Sequence, residues 1–295
     1  MEVSICIASQ RPHGLARLLE SIGRLKRPPR AALEVVVVGN GPAASGALRQ
    51  AAASAPLDLP LRLFLEPRRN LSHVRNRAVE HATGRWIAFV DDDEVPREDW
   101  LVAYWSMLES SDADGYFGPV LPRLEPPASA WLDASFFARE RFASGTWLGA
   151  RGARTGNAFV KRMLFADVAF DPAFGCGVGE DLDLFRRMQR RGARFVWCDE
   201  AQVEEFVPPE RQCLSWLARR AFEGGASYAR VEARVQPHRL RPALRALAGL
   251  AAAFCALPFA LLLGPRRAAR AWLRGCVQAG KLHGLRARHA TSGES

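Results

Sequence analysis

Short apolar runs alternate with amphipathic stretches along the opening part of the chain, and this alternation constrains the fold more than any other feature. The apolar runs cover residues 3–8, 34–38, 61–65 and 86–90. Between them, apolar residues recur at helical spacing on one face, beginning with Leu15, Leu18, Leu19 and Ile22. Strands and helices in this order predict βαβ units, a parallel sheet and right-handed crossovers. Ligands of such sheets bind at the carboxyl ends of the strands, so functional residues are expected there.

Beyond residue 115 the pattern is less regular but still mixes strands with helices. The sequence predicts a turn and strand over 155–161, a helix that opens near Glu180, a strand over 193–198 and a helix over 210–232. We therefore expect an α/β protein whose first 115 residues form a doubly wound half-domain, followed by further strands and helices.

Charge and cysteine usage set limits on partners and compartment. The formal net charge is +10 and is carried mostly by arginine, which fits nucleic acid, an anionic membrane surface or a phosphorylated substrate without choosing among them. The six cysteines are scattered and include no C-x-x-C pair, which favours single thiols in a reducing compartment over a disulfide framework or zinc site. The N-terminus lacks a basic segment followed by a long apolar stretch, so no signal peptide is expected.

Four acidic residues, Asp91-Asp92-Asp93-Glu94, follow directly on the apolar run 86–90. Adjacent carboxylates repel one another, so something must offset their charge. Pro96 can occupy the first position of a helix, whose N-terminus favours acids. Alternatively, a divalent cation can bind two of the carboxylates and lend its charge to a phosphate-bearing ligand. Capping requires one acid rather than four, so the second interpretation is favoured.

A second acidic pair, Glu180-Asp181, follows a glycine-rich stretch and opens a predicted helix. Backbone groups at a helix start can hold such a carboxylate in a fixed orientation, where it can act as a general base on a hydroxyl. Acids are also common at helix starts for purely structural reasons, because the helix dipole favours them there. The presence of the first acidic run favours the functional interpretation.

With these residues in view, the chain resembles glycosyltransferase family 2, the nucleotide-sugar transferases of the GT-A fold, over about residues 1–232. The resemblance depends on an ordered set of segments. These are the opening strand and helix, Ser4–Ser9 with Leu15–Leu19; Asn70-Leu71-Ser72-His73-Val74-Arg75-Asn76; the D-x-D motif at Asp91 and Asp93; Gly156-Asn157; and Glu180-Asp181. The subgroup that builds exopolysaccharide repeat units, such as the succinoglycan transferases, is similar in segments 207–211 and 216–222.

The resemblance implies an α/β GT-A fold, a doubly wound mixed sheet with three functional parts. Residues 1–115 would form the Rossmann-like nucleotide-sugar-binding half, 116–232 the acceptor-binding and catalytic-base half, and 233–295 a basic, apolar, helical segment that associates with membranes. It implies inverting transfer from a nucleoside-diphosphate sugar to a hydroxyl of a glycan or polyprenyl-linked acceptor, in cell-surface or exopolysaccharide synthesis.

The family's functional residues fall on definite positions of this chain. Asp181, beside Glu180, would remove the acceptor's proton. Asp93 would hold Mg²⁺ or Mn²⁺ against the departing diphosphate, and Asp91 would support the metal or bind the ribose. The nucleotide-sugar-binding residues implied are Ala8, Ser9, Arg11, Asn40, Arg75, Asp91, Asp92, Asn157, Arg219 and Arg220. Arg75 and one of Arg219 and Arg220 are expected to contact phosphates.

Two departures from the family pattern bear on specificity. The second strand of the family usually ends in an aspartate that contacts the nucleobase, and here Gly39 occupies that place, followed by Asn40. The Gln-x-x-Arg-Trp motif of processive synthases does not occur in that form. The second departure indicates transfer of a single sugar rather than polymerisation.

Other functions fit parts of the sequence. A metal-dependent phosphoester or nucleotide-sugar hydrolase would explain the acids alone, and a basic membrane or nucleic-acid binding module would explain the charge but neither acidic cluster. No G-x-G-x-x-G follows the first strand and no P-loop motif occurs, which disfavours dinucleotide-dependent oxidoreductases and P-loop enzymes. Nucleic acid is not expected as a partner.

The segment 246–264 contains nineteen uncharged residues, just long enough to span a bilayer. Arginines flank it on both sides, among them Arg239, Arg241 and Arg245 before it, which argues against a simple crossing because one basic flank would face outward. Pro258 would permit a bend. We expect a re-entrant or interfacial helical hairpin on an anionic cytoplasmic membrane face; a true span and a soluble core helix are the alternatives.

Overall fold

The computed structural model describes residues 2–41, 45–127, 131–149, 152–235 and 240–286. Internal contacts divide the chain into two compact units. The first comprises residues 1–123, 137–176 and 180–207, and the second comprises 124–136, 177–179 and 208–295.

A seven-stranded sheet forms the centre of the first unit. Its strands are β1 (Glu2–Ser9), β2 (Ala32–Asn40), β3 (Leu61–Glu66), β4 (Trp86–Val90), β6 (Gly115–Phe117), β8 (Asn157–Lys161) and β9 (Phe195–Trp197), in the spatial order β3-β2-β1-β4-β8-β6-β9. β8 pairs antiparallel with both of its neighbours, whereas the other pairs are parallel. The predicted mixed, doubly wound sheet is therefore confirmed. Residue 115, the predicted boundary between two functional halves, lies at the start of β6, and that functional division stays a prediction.

Helices cover both faces of this sheet, and the alternation of strand side chains determines which helix packs where. The helices are α1 (Pro12–Gly23), α2 (Ser45–Ala53), α3 (Leu71–His81), α4 (Trp100–Ser110) and α5 (Glu180–Arg190). Ile5 and Val35 point to the core shared with α1, α2 and α4, while the next residues, Cys6 and Val36, point to the core shared with α3 and α5. Burial on both faces explains why these strands are continuous apolar runs.

A second, three-stranded sheet begins at the last residue of the acidic run. It consists of β5 (Glu94–Pro96), β10 (Val203–Val207) and β7 (Val120–Leu124), with β10 in the middle and antiparallel to β5. Pro96 pairs with Val203, and the next helix begins only at Trp100. The helix-start interpretation of Pro96 is therefore wrong, because the acidic run continues into a strand.

The second unit is built mainly from three long helices, α6 (Leu214–Val235), α7 (Leu240–Leu262) and α8 (Pro265–Arg286). Glycines let α6 and α8 approach closely: a Cβ added to Gly280 would lie 2.0 Å from the Phe222 carbonyl oxygen, and one on Gly284 would lie 2.1 Å from that of Ala226. From the first contact to the second, both partners lie four residues further along the chain, so α6 and α8 run in the same direction. The close approach leaves no room for a larger residue at either glycine.

The apolar segment 246–264 lies largely within one helix rather than in a hairpin. α7 continues through Pro258 to Leu262, and the chain reverses at Gly264, which has a φ of +106° that glycine adopts without strain. Pro258 lies inside α7, so the chain does not reverse there, and the reversal at Gly264 joins α7 to α8. Arg239 and residues 287–295, also part of the predicted membrane segment, lie outside the described residues.

Candidate functional site

The acidic run begins where the buried strand β4 ends, and its second member holds the end of β1 in place. Asp92 is buried and accepts hydrogen bonds from Ser9 Oγ (3.0 Å) and from the backbone N–H groups of Gln10 and Arg11 (both 2.9 Å). These bonds join the carboxyl ends of two adjacent parallel strands, β1 and β4. Asp92 and Ser9, both predicted to bind the donor, therefore bind each other and shape the loop.

Gly14 is a further residue of this junction that the sequence did not single out. A Cβ added to Gly14 would lie 2.2 Å from the backbone oxygen of Asp92, so α1 can approach the acidic run only with glycine here. Arg11, just before α1, reaches Asp93, with its Nη1 2.5 Å from Asp93 Oδ2. The start of α1 thus supplies one cation that offsets the acidic run.

Arg75 on α3 joins the two acidic clusters, which lie far apart in the sequence. Its Nη2 lies 2.9 Å from Asp91 Oδ1, and its Nη1 donates to Glu180 Oε1 at the start of α5. Arg75 is only 4% exposed, so both ends of its guanidinium are used inside the protein. In this arrangement Arg75 positions two acids, and its predicted contact with donor phosphates stays a prediction.

The predicted base and its neighbour occupy the first turn of α5. Glu180 is buried, and its Oε2 has no hydrogen-bond partner among the described residues. Asp181 is partly exposed, and its Oδ1 accepts from the N–H of Leu182 at 2.7 Å. The helix start therefore orients Asp181, while Arg75 ties the adjacent Glu180 to the first acidic run.

A second arginine, which the sequence did not single out, faces the same acids. Arg139 lies in the irregular segment before β8, and its Nη2 is 3.0 Å from Glu205 Oε2 on β10. Gly156 packs beside it, since an added Cβ there would lie 2.5 Å from Glu94 Oε1 and 3.3 Å from Arg139 Nη1. No motif marks Arg139, because its place depends on contacts between distant parts of the chain.

The pKa values in this cluster reflect burial opposed by ion pairing. Burial raises the pKa of Asp92, Glu94 and Glu180, and neighbouring acids add to this effect. Burial alone would lower the pKa of Arg75, but attraction to the acids around it raises it, so its guanidinium stays charged. The pKa of Arg139 is raised in the same way, against the effect of burial, by acids that include Glu205 and Glu94. Both arginines therefore offset the acids as permanent cations.

Asn157, predicted to bind the donor, is buried and fully hydrogen-bonded within the fold. Its Oδ1 accepts from Trp100 Nε1 (2.8 Å) and Tyr104 OH (2.6 Å), and its Nδ2 donates to the backbone oxygens of Pro119 (3.0 Å) and Ala201 (2.6 Å). These four bonds use the full capacity of the amide. In this structure the side chain is therefore structural, and a donor contact would have to replace one of these bonds.

The remaining predicted residues fall in three places. Ala8 lies near the end of β1, beside the loop that Asp92 holds. Asn40 ends β2, and its Oδ1 has no hydrogen-bond partner among the described residues. Arg219 and Arg220 are exposed on α6 of the second unit, and their predicted phosphate contacts stay predictions.

The donor set of the acidic run fits a hard cation, although it does not form a complete cage. Asp91 and Asp93 offer carboxylate oxygens, the ligands that Mg²⁺ and related ions prefer. No group of three His, Cys, Asp or Glu side chains is arranged for a metal within the residues that the structure describes. Magnesium sites commonly combine one or two carboxylates with substrate phosphates, so two acids are sufficient if a diphosphate supplies further ligands.

Comparison with known proteins identifies a family and a relative that is similar over nearly the whole chain. Residues 4–169 match the family model described as glycosyl transferase family 2. The succinoglycan biosynthesis protein ExoM of Rhizobium meliloti (strain 1021) is 32% identical over 296 residues, which cover 97% of this chain and 93% of ExoM.

Solved structures show the same fold at lower sequence identity. The mannosyltransferase PcManGT from Pyrobaculum calidifontis, solved with GDP-Man and Mn²⁺, has a TM-score of 0.66 and 22% identity, covering 96% of this chain and 86% of its own. S. aureus TarS 1–349, solved with UDP, has a TM-score of 0.55 and 16% identity, covering 95% and 90%. These likenesses confirm the predicted GT-A fold.

Proposed function

The chain belongs to glycosyl transferase family 2, and from that premise we propose that it moves a single sugar from a nucleoside-diphosphate sugar to a hydroxyl group. The acceptor would be a glycan or a polyprenyl-linked sugar in exopolysaccharide synthesis, as the similarity to a succinoglycan biosynthesis protein suggests. The observation that carries the proposal is the Arg75 bridge, because it brings the acid that would serve the leaving group next to the helix that carries the base.

The donor would bind across the carboxyl ends of β1, β2 and β4. Asn40 supports this orientation, because its side-chain oxygen has no partner among the described residues and suits an N–H donor of the nucleobase. Asp92 fixes the loop after β1, and Arg11 brings a positive charge to the acidic run. The diphosphate would lie against Asp91 and Asp93, where a divalent cation, Mg²⁺ or Mn²⁺, would neutralise the charge of the leaving group.

The acceptor hydroxyl would approach from the side of α5. Asp181 would take its proton as the oxygen attacks the anomeric carbon, and the opposite face of that carbon would lose the nucleoside diphosphate. One direct displacement inverts the configuration. The ion pair between Arg75 and Glu180 would hold the first turn of α5 at a fixed position relative to Asp91. The donor and the base would then stay aligned.

Substitution of Asp181 by asparagine tests this assignment. Asp181→Asn keeps the shape of the side chain and its contact with the Leu182 N–H but removes the base, so sugar transfer should fall at least about a hundredfold. Donor affinity, measured by calorimetry, should stay within about twofold, since the metal and nucleotide groups are unchanged. The exposed Asp167 provides a matched control, and Asp167→Asn should leave both quantities unchanged.

The assay follows release of nucleoside diphosphate from a panel of sugar donors, with and without a membrane extract as the source of acceptor. Acceptor-dependent release by the wild-type protein is expected. Release at the same rate without acceptor would instead identify a hydrolase, and full turnover by Asp181→Asn would contradict the assignment of the base.

The proposed site of action is the cytoplasmic face of the plasma membrane, where a polyprenyl-linked acceptor would be presented. α7 supports this location, because among the described residues it alone has the length and composition to enter a membrane.

A further inference from the structure

Most of the apolar surface of α7 is left uncovered by the residues that the structure describes. Its buried residues, Ala246, Ala253 and Ala260, recur every seven residues and form one narrow stripe along the helix. Around that stripe, large apolar side chains are exposed, among them Phe254 at 78% and Leu262 at 86%. A helix that is apolar on all sides is expected in a protein core or in lipid, and α7 is not in a core.

The helix packed beside α7 is strongly basic. Gly249 and Ala253 of α7 lie against Gln278 and Gly275 of α8, so the two helices run antiparallel from the turn at Gly264. The cations of α8 are Arg266, Arg267, Arg270, Arg274, Lys281 and Arg286. A crossing by α7 would carry several of these charges into hydrocarbon along with it, and such charges are costly there.

The turn after α7 is also tied to another segment of the second unit. Arg266 Nε donates to the Trp131 backbone oxygen at 3.0 Å, and Arg270 Nη2 donates to Ser135 Oγ at 2.8 Å. Arg270 lies over the Phe136 ring as well, 5.3 Å from its centroid. A crossing that carried this turn through a bilayer would have to carry the segment 131–136, including the charged Asp133, or break these contacts.

We propose that α7 lies in the plane of an anionic membrane, with its exposed apolar face in the lipid and the arginines of α8 at the headgroups. The occupant of this face is therefore a lipid surface rather than a second copy of the chain. Apolar burial supplies the attachment, and the exposed Arg267 and Arg274 supply preference for anionic lipid. The inference rests on the proposed function and deepens it, because a lipid-linked acceptor would be presented at that surface.

Vesicle flotation of the full chain tests the proposal. The protein should float with vesicles of phosphatidylcholine and phosphatidylglycerol and bind pure phosphatidylcholine at least about tenfold more weakly. The double variant Phe254→Gln/Leu262→Gln should lose binding to both, whereas Met163→Gln, which alters an equally exposed apolar side chain of the first unit, should bind as the wild type does. Unchanged binding by the double variant would overturn the proposal.

The reactivity of the native thiols reports how α7 is oriented on the membrane. Cys255 on α7 and Cys176 in the first unit are both exposed. Anionic vesicles should protect Cys255, but not Cys176, from a membrane-impermeant maleimide. In a Pro265→Cys variant, which keeps every arginine of α8, the new thiol at the exposed start of that helix should stay accessible on vesicles to which protein was added from outside. Its protection would indicate a crossing and contradict the in-plane arrangement.

Two further measurements separate this proposal from its rivals. The first is the oligomeric state, measured by light scattering. If the wild type does not bind vesicles but forms a dimer, and the double variant is a monomer, then α7 is a protein interface and the proposal is wrong. Nucleoside-diphosphate binding with Mn²⁺, measured without lipid, should be equal in the wild type and the double variant. If the wild type does not bind nucleoside diphosphate, the proposed transferase function is wrong. The vesicle result would still show whether α7 binds lipid.

Discussion

Replacing Arg75 with methionine tests whether this arginine joins the two acidic clusters. Methionine fills similar space but removes the charge that faces Glu180, which is 6% exposed, and Asp91, which is 33% exposed. Removing one partner of a buried ion pair typically costs 3–5 kcal/mol, and we expect about 3 kcal/mol here because Asp91 can be rehydrated. For a unit of this size, that loss lowers Tm by roughly 6–12 °C.

A double-mutant cycle distinguishes loss of the ion pair from general damage. Glu180→Gln removes the charge that Arg75→Met leaves unpaired, so the double variant should recover a large part of the lost stability. Arg24→Met provides the control, since Arg24 forms an exposed pair with Glu20 on α1, a kind of pair that contributes roughly 0.3–0.5 kcal/mol. Thermal and urea unfolding measure each step. Wild-type stability in Arg75→Met, or no recovery in the double variant, would refute the reasoning.

Three further substitutions test the packing and hydrogen bonding of the first unit. Gly14→Ala should destabilise the fold by about 1–3 kcal/mol through the clash with Asp92, whereas Gly46→Ala, in open space on α2, should be neutral or stabilising in urea unfolding. Asn157→Leu should cost about 3 kcal/mol or more by leaving buried donors unpaired, and nucleotide binding by the folded protein should persist in calorimetry. Burial would raise the pKa of Glu34, but hydrogen bonds from Ser4, Thr83 and Arg62 lower it to about 2. Glu34→Gln should therefore cost about 2 kcal/mol at neutral pH, which is less than the full shift corresponds to because solvent screens the partly exposed Arg62. The difference in unfolding free energy between the wild type and Glu34→Gln should vanish as the pH falls from about 4.5 towards 2, because the pKa of Glu34 is lower in the folded protein than in the unfolded chain.

Local patterns were sufficient to predict most of the first unit's strands and helices. The runs at 34–38 and 86–90 lie inside β2 and β4, and the predicted helix near Glu180 begins at that residue. These elements are predictable because strands buried on both faces must be apolar throughout, and because the helix face that packs against them repeats every three to four residues.

Contacts between distant segments were not predictable in the same way. Pro96 has the local signature of a helix start, yet pairing with Val203 on β10 places it in a strand. Asn157 matches a family motif, but its four partners come from three other segments and give it a structural role. Arg139 has no motif at all, and only the folded chain brings it to Glu205. Such roles depend on tertiary contacts that no local pattern records.

The central claim is that the first acidic run serves the leaving group while Asp181 serves the nucleophile. Calorimetric titration of nucleoside diphosphate with and without Mn²⁺ tests this division most directly. The wild type and Asp181→Asn should both gain at least about tenfold in affinity when Mn²⁺ is present, while Asp91→Asn and Asp93→Asn should lose that gain. Equal, metal-independent binding by all four proteins would contradict the account.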